Sequence, residues 1–302
     1  MNAELLFDAA LILLLLALAA ATLHTRKLYT AIVLFIVFGL MLALTWARLG
    51  AVDLALAEAA IGAGLIGVML LAAFGRSGPE AATRAPPAVL AASVLLCSLL
   101  LVLFAQGVWP LANNSAPVPE LVNSHLAASG VSHPVTAVLL NFRAWDTLLE
   151  LVVLLLALLG VRQLHSPNMN LPAAWPLLQA WSRLLAPLSI VIGGYLLWRG
   201  SHAPGGAFQA GAVLAAGAIV LRLAGLLPPL RWNWWPMRAC VLGGVALFMT
   251  IAAAGYWLGS GWLDYPPGLG KTLITLIEIA ATVSIAVSLS LLVVGDTREI
   301  TP

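Results

Sequence analysis

The chain has 302 residues, of which 62% are hydrophobic and 9% charged, with a mean hydropathy of +1.03 and a formal net charge of +2. A soluble domain carries about 25% charged residues. A chain this apolar cannot cover itself with polar surface in water, so its solvent is lipid. The small net charge excludes nucleic acid as a partner, and the two cysteines, Cys97 and Cys240, lie in apolar runs that make neither a disulfide framework nor a metal site.

In chain order, nine stretches are long and apolar enough to cross a bilayer: 5–23, 28–47, 52–74, 88–107, 143–161, 181–198, 206–227, 236–258 and 271–294. The first ends in an Ala-rich run but starts with Glu4 and Asp8 instead of a basic segment, so it reads as a helix and not as a signal peptide. With the N-terminus outside, the cytoplasmic side receives Arg26, Lys27, Arg76, Arg84, Arg162, Arg183, Arg222, Arg231, Arg238 and Arg298. The other side receives only Arg48, Arg143, Arg199 and Lys271. That bias orients the chain with the N-terminus outside and the C-terminus cytoplasmic, which requires an odd number of spans. Trp46, Trp109, Trp181, Trp198, Trp232, Trp234, Trp235 and Trp257 stand near predicted helix ends, as in an interfacial aromatic belt. The expected fold is an all-α polytopic membrane protein of about nine transmembrane helices.

Two polar segments divide the chain. Residues 109–134 hold several prolines, Asn113, Asn114 and Glu120 but no Lys or Arg, and are expected as an external loop. Residues 163–176, with Pro167, Pro172 and Pro176, are expected inside as a join between helices one to five and six to nine. No sequence repeat is evident, and no broken helix is expected. Both points argue against a self-sufficient secondary transporter.

An ionisable group at the centre of a span costs about 2.5–3 kcal/mol or more and marks a candidate functional site. Glu58 lies about two turns inside the third helix, among Ala55, Ala59, Gly62, Ala63 and Gly67, small residues that admit close helix approach. Asp53 sits near the interface, five residues earlier and on a different face. Asp146 and Glu150 are spaced i,i+4 and share a face, with Arg143 one turn before them. They form either a relay or entry site, or an Arg143–Asp146 ion pair that fixes the helix end. Between helices six and seven lies a Gly/Pro-rich turn, residues 200–206, with His202, Pro204, Gly205 and Gly206, followed by Gln209 and Gly211. Glu278 in the last helix is seven residues from Lys271, too far for an easy pair, so it needs a partner from another helix or a proton. His24, His125, His133 and His165 are scattered without ligand spacing. No haem, iron–sulfur, nucleotide or other metal signature is present, so no cofactor and no catalytic residue are expected.

Three of these segments together resemble a known family. The run from Asp53 through Glu58 and Gly62 to Gly64 resembles the MbhD-type domain of membrane-bound hydrogenases, which also forms part of the large Mrp antiporter subunit. The run from His133-Pro134 through Asn141, Arg143 and Asp146 to Glu150 is similar to the MbhE-type piece that follows it. The segment His202-Ala-Pro204-Gly205-Gly206-Ala-Phe208-Gln209-Ala-Gly211 is similar to the B subunit of Mrp-type Na⁺/H⁺ antiporters, as is the stretch around Glu278. Ala207 and Ala210 stand where that family usually has glycine.

The resemblance implies an MbhD-like domain over 1–107, an external loop and MbhE-like helix over 108–165, and a subunit-B-like domain over 166–302. It implies a non-enzymatic subunit of a multi-subunit Mrp-type Na⁺/H⁺ antiporter in the bacterial inner membrane. Its partners would be the other subunits, membrane lipids, and Na⁺ and H⁺ as transported ions. The alternative it leaves open is a membrane subunit of a hydrogenase or other complex I-like redox-driven pump. Candidate ion-path residues are Asp53, Glu58, Asp146, Glu150, His202 and Glu278. Arg143 is expected as an ion-pair partner, and Gly62, Gly64, Gly205, Gly206 and Gly211 as helix-packing positions.

Overall fold

The computed structural model describes residues 3–76, 86–113, 118–164, 174–257, 261–266 and 268–295. Among these there is no strand. The predicted join at 163–176 lies mostly outside the described residues, as do Arg84, His165 and Arg298.

Helices α1 (Ala3–His24) and α2 (Leu28–Arg48) form a hairpin. Its open end is tied by Arg48, whose Nε donates to Asp8 Oδ1 at 2.8 Å and whose Nη2 donates to Glu4 Oε2 at 3.3 Å. An exposed ion pair of this kind contributes at most about 1 kcal/mol. Its value is positional: it places the start of α1 and the end of α2 together. The third helix, α3, runs as an α-helix over Val52–Ala57, widens to a π-helix over Glu58–Leu65 and resumes as an α-helix over Ile66–Arg76.

Residues Ser77–His125 form a compact unit of their own, with α4 (Pro87–Asn113) and the short α5 (Val118–His125). The apolar span of α4 buries 0% of its length within the chain. A helix apolar all round belongs in lipid or against another protein.

In the larger unit, a 3₁₀ turn (Leu126–Ser129) leads to α6, which is α-helical over Pro134–Ala137 and π-helical over Val138–Phe142. The chain breaks at Arg143 and restarts as α7 (Ala144–Gln163). A four-helix bundle follows: α8 (Pro176–Arg199), α9 (Ala207–Leu223), α10 (Trp235–Trp257) and α11 (Gly270–Val294). The centre is α11, 67% buried along its span, against α9 and α10 with α7 beside them. Small residues make this close packing: Ser284 Oγ donates to Val241 O at 2.6 Å, opposite Gly244 of α10.

Among the described residues, eight helices are long and apolar enough to span a membrane, and α9 is a shorter apolar helix of 17 residues. Each of the nine stretches read from the sequence overlaps one of these helices, eight of them of spanning length. The seventh stops at Leu223 instead of 227, because Gly225 turns the chain at φ +70°. At 17 residues it is about 25 Å long. The expectation of unbroken helices does not hold: α3 is widened in mid-span and α6 is severed from α7 at Arg143.

Candidate functional site

The two π-helical stretches have local causes. In the widened turn of α3 the Ile66 N–H donates to Ile61 O, an i→i−5 bond. A Cβ at Gly64 would stand 2.9 Å from Ala59 O, so only glycine admits this turn. Gly62 is bare for another reason. A Cβ there would overlap the Glu58 carboxyl, which also lies 3.2 Å from the Cβ position of Gly39 on α2. Glu58 thus occupies a notch made by two glycines. The sequence reading took Gly62 as a helix-packing position, and here it accommodates the carboxyl itself. π-Bulges inside helices frequently mark functional sites.

At the second site, the Arg143 N–H donates to Val138 O at 2.7 Å and the helix then breaks. The freed carbonyls are claimed by side chains: Thr147 Oγ1 donates to Leu139 O at 2.8 Å, and the Tyr265 hydroxyl donates to Leu140 O at 2.7 Å. Asn141 Nδ2 donates to Ser129 O at 3.1 Å. Burial pushes the Tyr265 phenol above its ordinary value, so it stays a donor throughout neutral pH. Tyr265→Phe is expected to cost about 1–2 kcal/mol of stability by orphaning a carbonyl at the break. A denaturant titration of the purified chain measures this, and a change indistinguishable from zero would show that water replaces the hydroxyl.

Beyond the break, Arg143 Nη2 and Asp146 Oδ2 are 2.6 Å apart, with side chains 70% and 40% exposed. The pair fixes the start of α7, and Glu150 lies one turn further on, exposed on the same helix. These residues look outward from the chain.

Asp53 lies at the meeting point of three segments distant in sequence. Its Oδ2 is 2.9 Å from His133 Nε2, and its Oδ1 accepts the Gly205 N–H at 3.0 Å. Gln209 Nε2 donates to the Asp53 carbonyl at 3.4 Å. The His133 segment is fastened to the same turn again: the Ser132 and His133 N–H groups both donate to Ser201 O, at 3.1 and 3.2 Å, and Thr136 Oγ1 donates to Gly200 O. Sequence reading placed Asp53 near the interface but set His133 aside as a loop residue. No local signal joins them, since they are 80 positions apart.

The turn itself demands its glycines. Gly205 and Gly206 adopt φ +157° and +121°, and a Cβ on Gly205 would stand 2.5 Å from Leu196 O. Against this turn lies Glu278 of α11, 3% exposed. His202, taken from sequence as an ion-path residue, points away: it is exposed, its Nδ1 is 2.8 Å from Ser201 Oγ, and it packs on Trp198. Gly211 is a packing position, since a Cβ there would meet Ile285 Cγ2 at 2.7 Å. Among the described residues no group of three or more His, Cys, Asp and Glu gathers as a metal site.

Comparisons with known proteins fit this arrangement. The family MbhD, described as the D subunit of MBH, matches residues 13–79, the α1–α3 region with the Glu58 notch. A family described as "Domain related to MnhB subunit of Na+/H+ antiporter" matches residues 177–297, the bundle with the glycine turn and Glu278. No curated protein matches. Among solved structures, a chain of the Mrp complex from Dietzia sp. DQ12-45-1b is similar in fold, with a TM-score of 0.76 at 24% identity. The match covers 100% of this chain and 36% of that one, so this chain spans about a third of its length. The polypeptide is therefore a multi-pass membrane protein in which a segment similar to MbhD is followed, in a single chain, by a segment similar to the MnhB-related domain.

Proposed function

We propose that this chain is a subunit of a multi-subunit Mrp-type monovalent cation/proton antiporter of the bacterial inner membrane, and that it forms part of the ion path. The observation that carries the reading is the pairing of an MbhD domain and an MnhB-related domain, each with a carboxylate inside a span: Glu58 and Glu278. Such residues are costly in a membrane and mark ion pathways where they occur. We assign the path to Glu58 and Glu278, with Asp146 and Glu150 at the outward face of α7, where a neighbouring subunit would meet them. Asp53, held by His133 and Gly205, positions the glycine turn, and exposed His202 stands at the same end of the bundle. That end would face outside under the charge bias of the loops. The segment 108–165 would be an external loop plus the MbhE-like helix, between an MbhD-like domain over 1–107 and a subunit-B-like domain over 166–302. The surfaces of α4 and of α7 would meet lipid and the other subunits.

The test is ΔpH in inverted vesicles that carry the neighbouring genes with or without this chain, read by a pH-sensitive dye on addition of Na⁺. Na⁺-induced dequenching that disappears without the chain is the expected result. No dequenching from a complex shown to be assembled would contradict the proposal.

A further inference from the structure

Among the described residues no positive group pairs with Glu278. Among the described Asp and Glu residues it alone is enclosed, at 3% exposure, about 12 Å along α11 from Gly270. Its carboxyl makes no hydrogen bond or ion pair with any described residue. Instead Oε1 lies 2.9 Å from the Cβ position of Gly200 and 3.6 Å from that of Gly206. Gln209, itself only 8% exposed, brings its Oε1 to 3.6 Å from the same Gly206 position while its Nε2 is turned to Asp53 O. Two side-chain oxygens therefore flank one bare stretch of backbone.

The charged groups on the packed helices are turned elsewhere. Lys271, two turns earlier on α11, is exposed. Arg199 of α8 bonds Tyr195 at 3.2 Å, and His202 lies at the surface with Ser201. On α7, Asp146 pairs with Arg143, Glu150 is exposed, and Arg162 stacks on Trp232. Arg238 of α10 also bonds and stacks at Trp232. Arg183 of α8 and Arg222 of α9 lie toward the opposite ends of their helices, and neither they nor any residue of α3 forms an ion pair with Glu278. A buried carboxylate left uncompensated costs several kcal/mol. The missing positive charge must come from a proton or a bound cation. With one carboxylate and the neutral Gln209 oxygen beside it, a monovalent ion balances the charge, whereas a divalent ion would leave a net charge and lack its six to eight oxygen ligands.

We propose that Glu278, Gln209 and the bare Gly200–Gly206 backbone form a site at which one monovalent alkali cation displaces one proton: Glu278–COOH + M⁺ gives Glu278–COO⁻·M⁺ + H⁺. The inference deepens the antiporter reading and rests on it for the class of ion. The Asp53–Gly205 hydrogen bond ties α3 to the glycine turn against which Glu278 lies.

The test uses the purified full-length chain in weakly buffered detergent solution. NaCl, KCl or LiCl is added against choline chloride at matched ionic strength, with released protons counted by a dye and the protonated carboxyl followed by infrared difference spectroscopy. The expected result is release of about one proton per chain, with loss of a protonated-carboxyl band. Both are absent in Glu278→Gln and unchanged on substitution of the exposed Glu120, Glu120→Gln. Gln209→Leu, which keeps the carboxyl, is expected to weaken the cation dependence about ten-fold, equivalent to about 1.4 kcal/mol. Release unchanged in Glu278→Gln, or no cation-dependent release from the unaltered chain, overturns the site. Because this is an equilibrium measurement on the chain alone, it separates the two claims. Release without antiport in vesicles supports the site and sinks the antiporter reading. Antiport without release does the reverse.

Discussion

Asp53→Ala is expected to destabilise the chain by about 3 kcal/mol, far more than an interfacial carboxylate usually contributes. One side chain here satisfies the His133 ring and the Gly205 N–H, and both carboxyl and imidazole are largely buried, with side chains 15% and 12% exposed. Removing it orphans a backbone donor and a ring nitrogen together, and it releases the glycine turn from α3. Asp53→Asn keeps an acceptor for Gly205 and turns an amide N–H toward His133 Nε2, which accepts it in the other ring tautomer, so its cost should be about 1 kcal/mol. Reversible unfolding in mixed detergent measures both. An Asp53→Ala variant within about 0.5 kcal/mol of the unaltered chain, the range of ordinary surface substitutions, would show that the clamp is dispensable.

The second large effect is expected at Gly211. A Cβ there would stand 2.7 Å from Ile285 Cγ2 and 3.2 Å from Thr282 O, and the latter is backbone that cannot step aside. Gly211→Leu must push α9 away from α11, the most buried helix of the bundle, at a cost of about 3 kcal/mol or more. Gly243 of α10 is the control, because nothing lies within 4 Å of its Cβ position. Gly243→Leu should be neutral or slightly stabilising, since leucine is the better helix former by up to about 1 kcal/mol. Similar melting curves for the two variants would contradict the close α9–α11 contact.

What was legible in the sequence followed from local rules. Long apolar runs gave the spans, and the turn before α9 announced itself through Pro204, Gly205 and Gly206. Single carboxylates in apolar runs drew attention to Glu58, which lies in a notch of two glycines, and to Glu278, which is enclosed. What was not legible depends on contacts between distant segments. Asp53 and Gly205 are 152 positions apart, and His133 looks like a loop histidine until the fold brings it to Asp53. The π-helical turns were equally hidden. Gly62 and Gly64 read as a small-residue face for a neighbouring helix, whereas one makes room for the Glu58 carboxyl and the other for the Ala59 carbonyl of its own helix. His202 misled in the opposite direction: titratable and in a glycine turn, it faces outward while the enclosed group is Glu278. The Asp146–Glu150 spacing gave a shared helix face, but spacing alone could not say that the face is exposed.

The ion-path assignment meets its most direct test at Glu58. The measurement is the initial rate of Na⁺-induced dequenching in inverted vesicles, normalised to the amount of assembled complex, for the unaltered chain and for Glu58→Gln. Glutamine fills the Gly39–Gly62 notch with nearly the same volume but cannot carry a proton or a charge. The expected result is a fall of about ten-fold or more at unchanged assembly, in line with the loss of a positioned proton-transfer group. An unchanged rate from an assembled Glu58→Gln complex would contradict a path through this chain and leave it as a scaffold for the subunits around it.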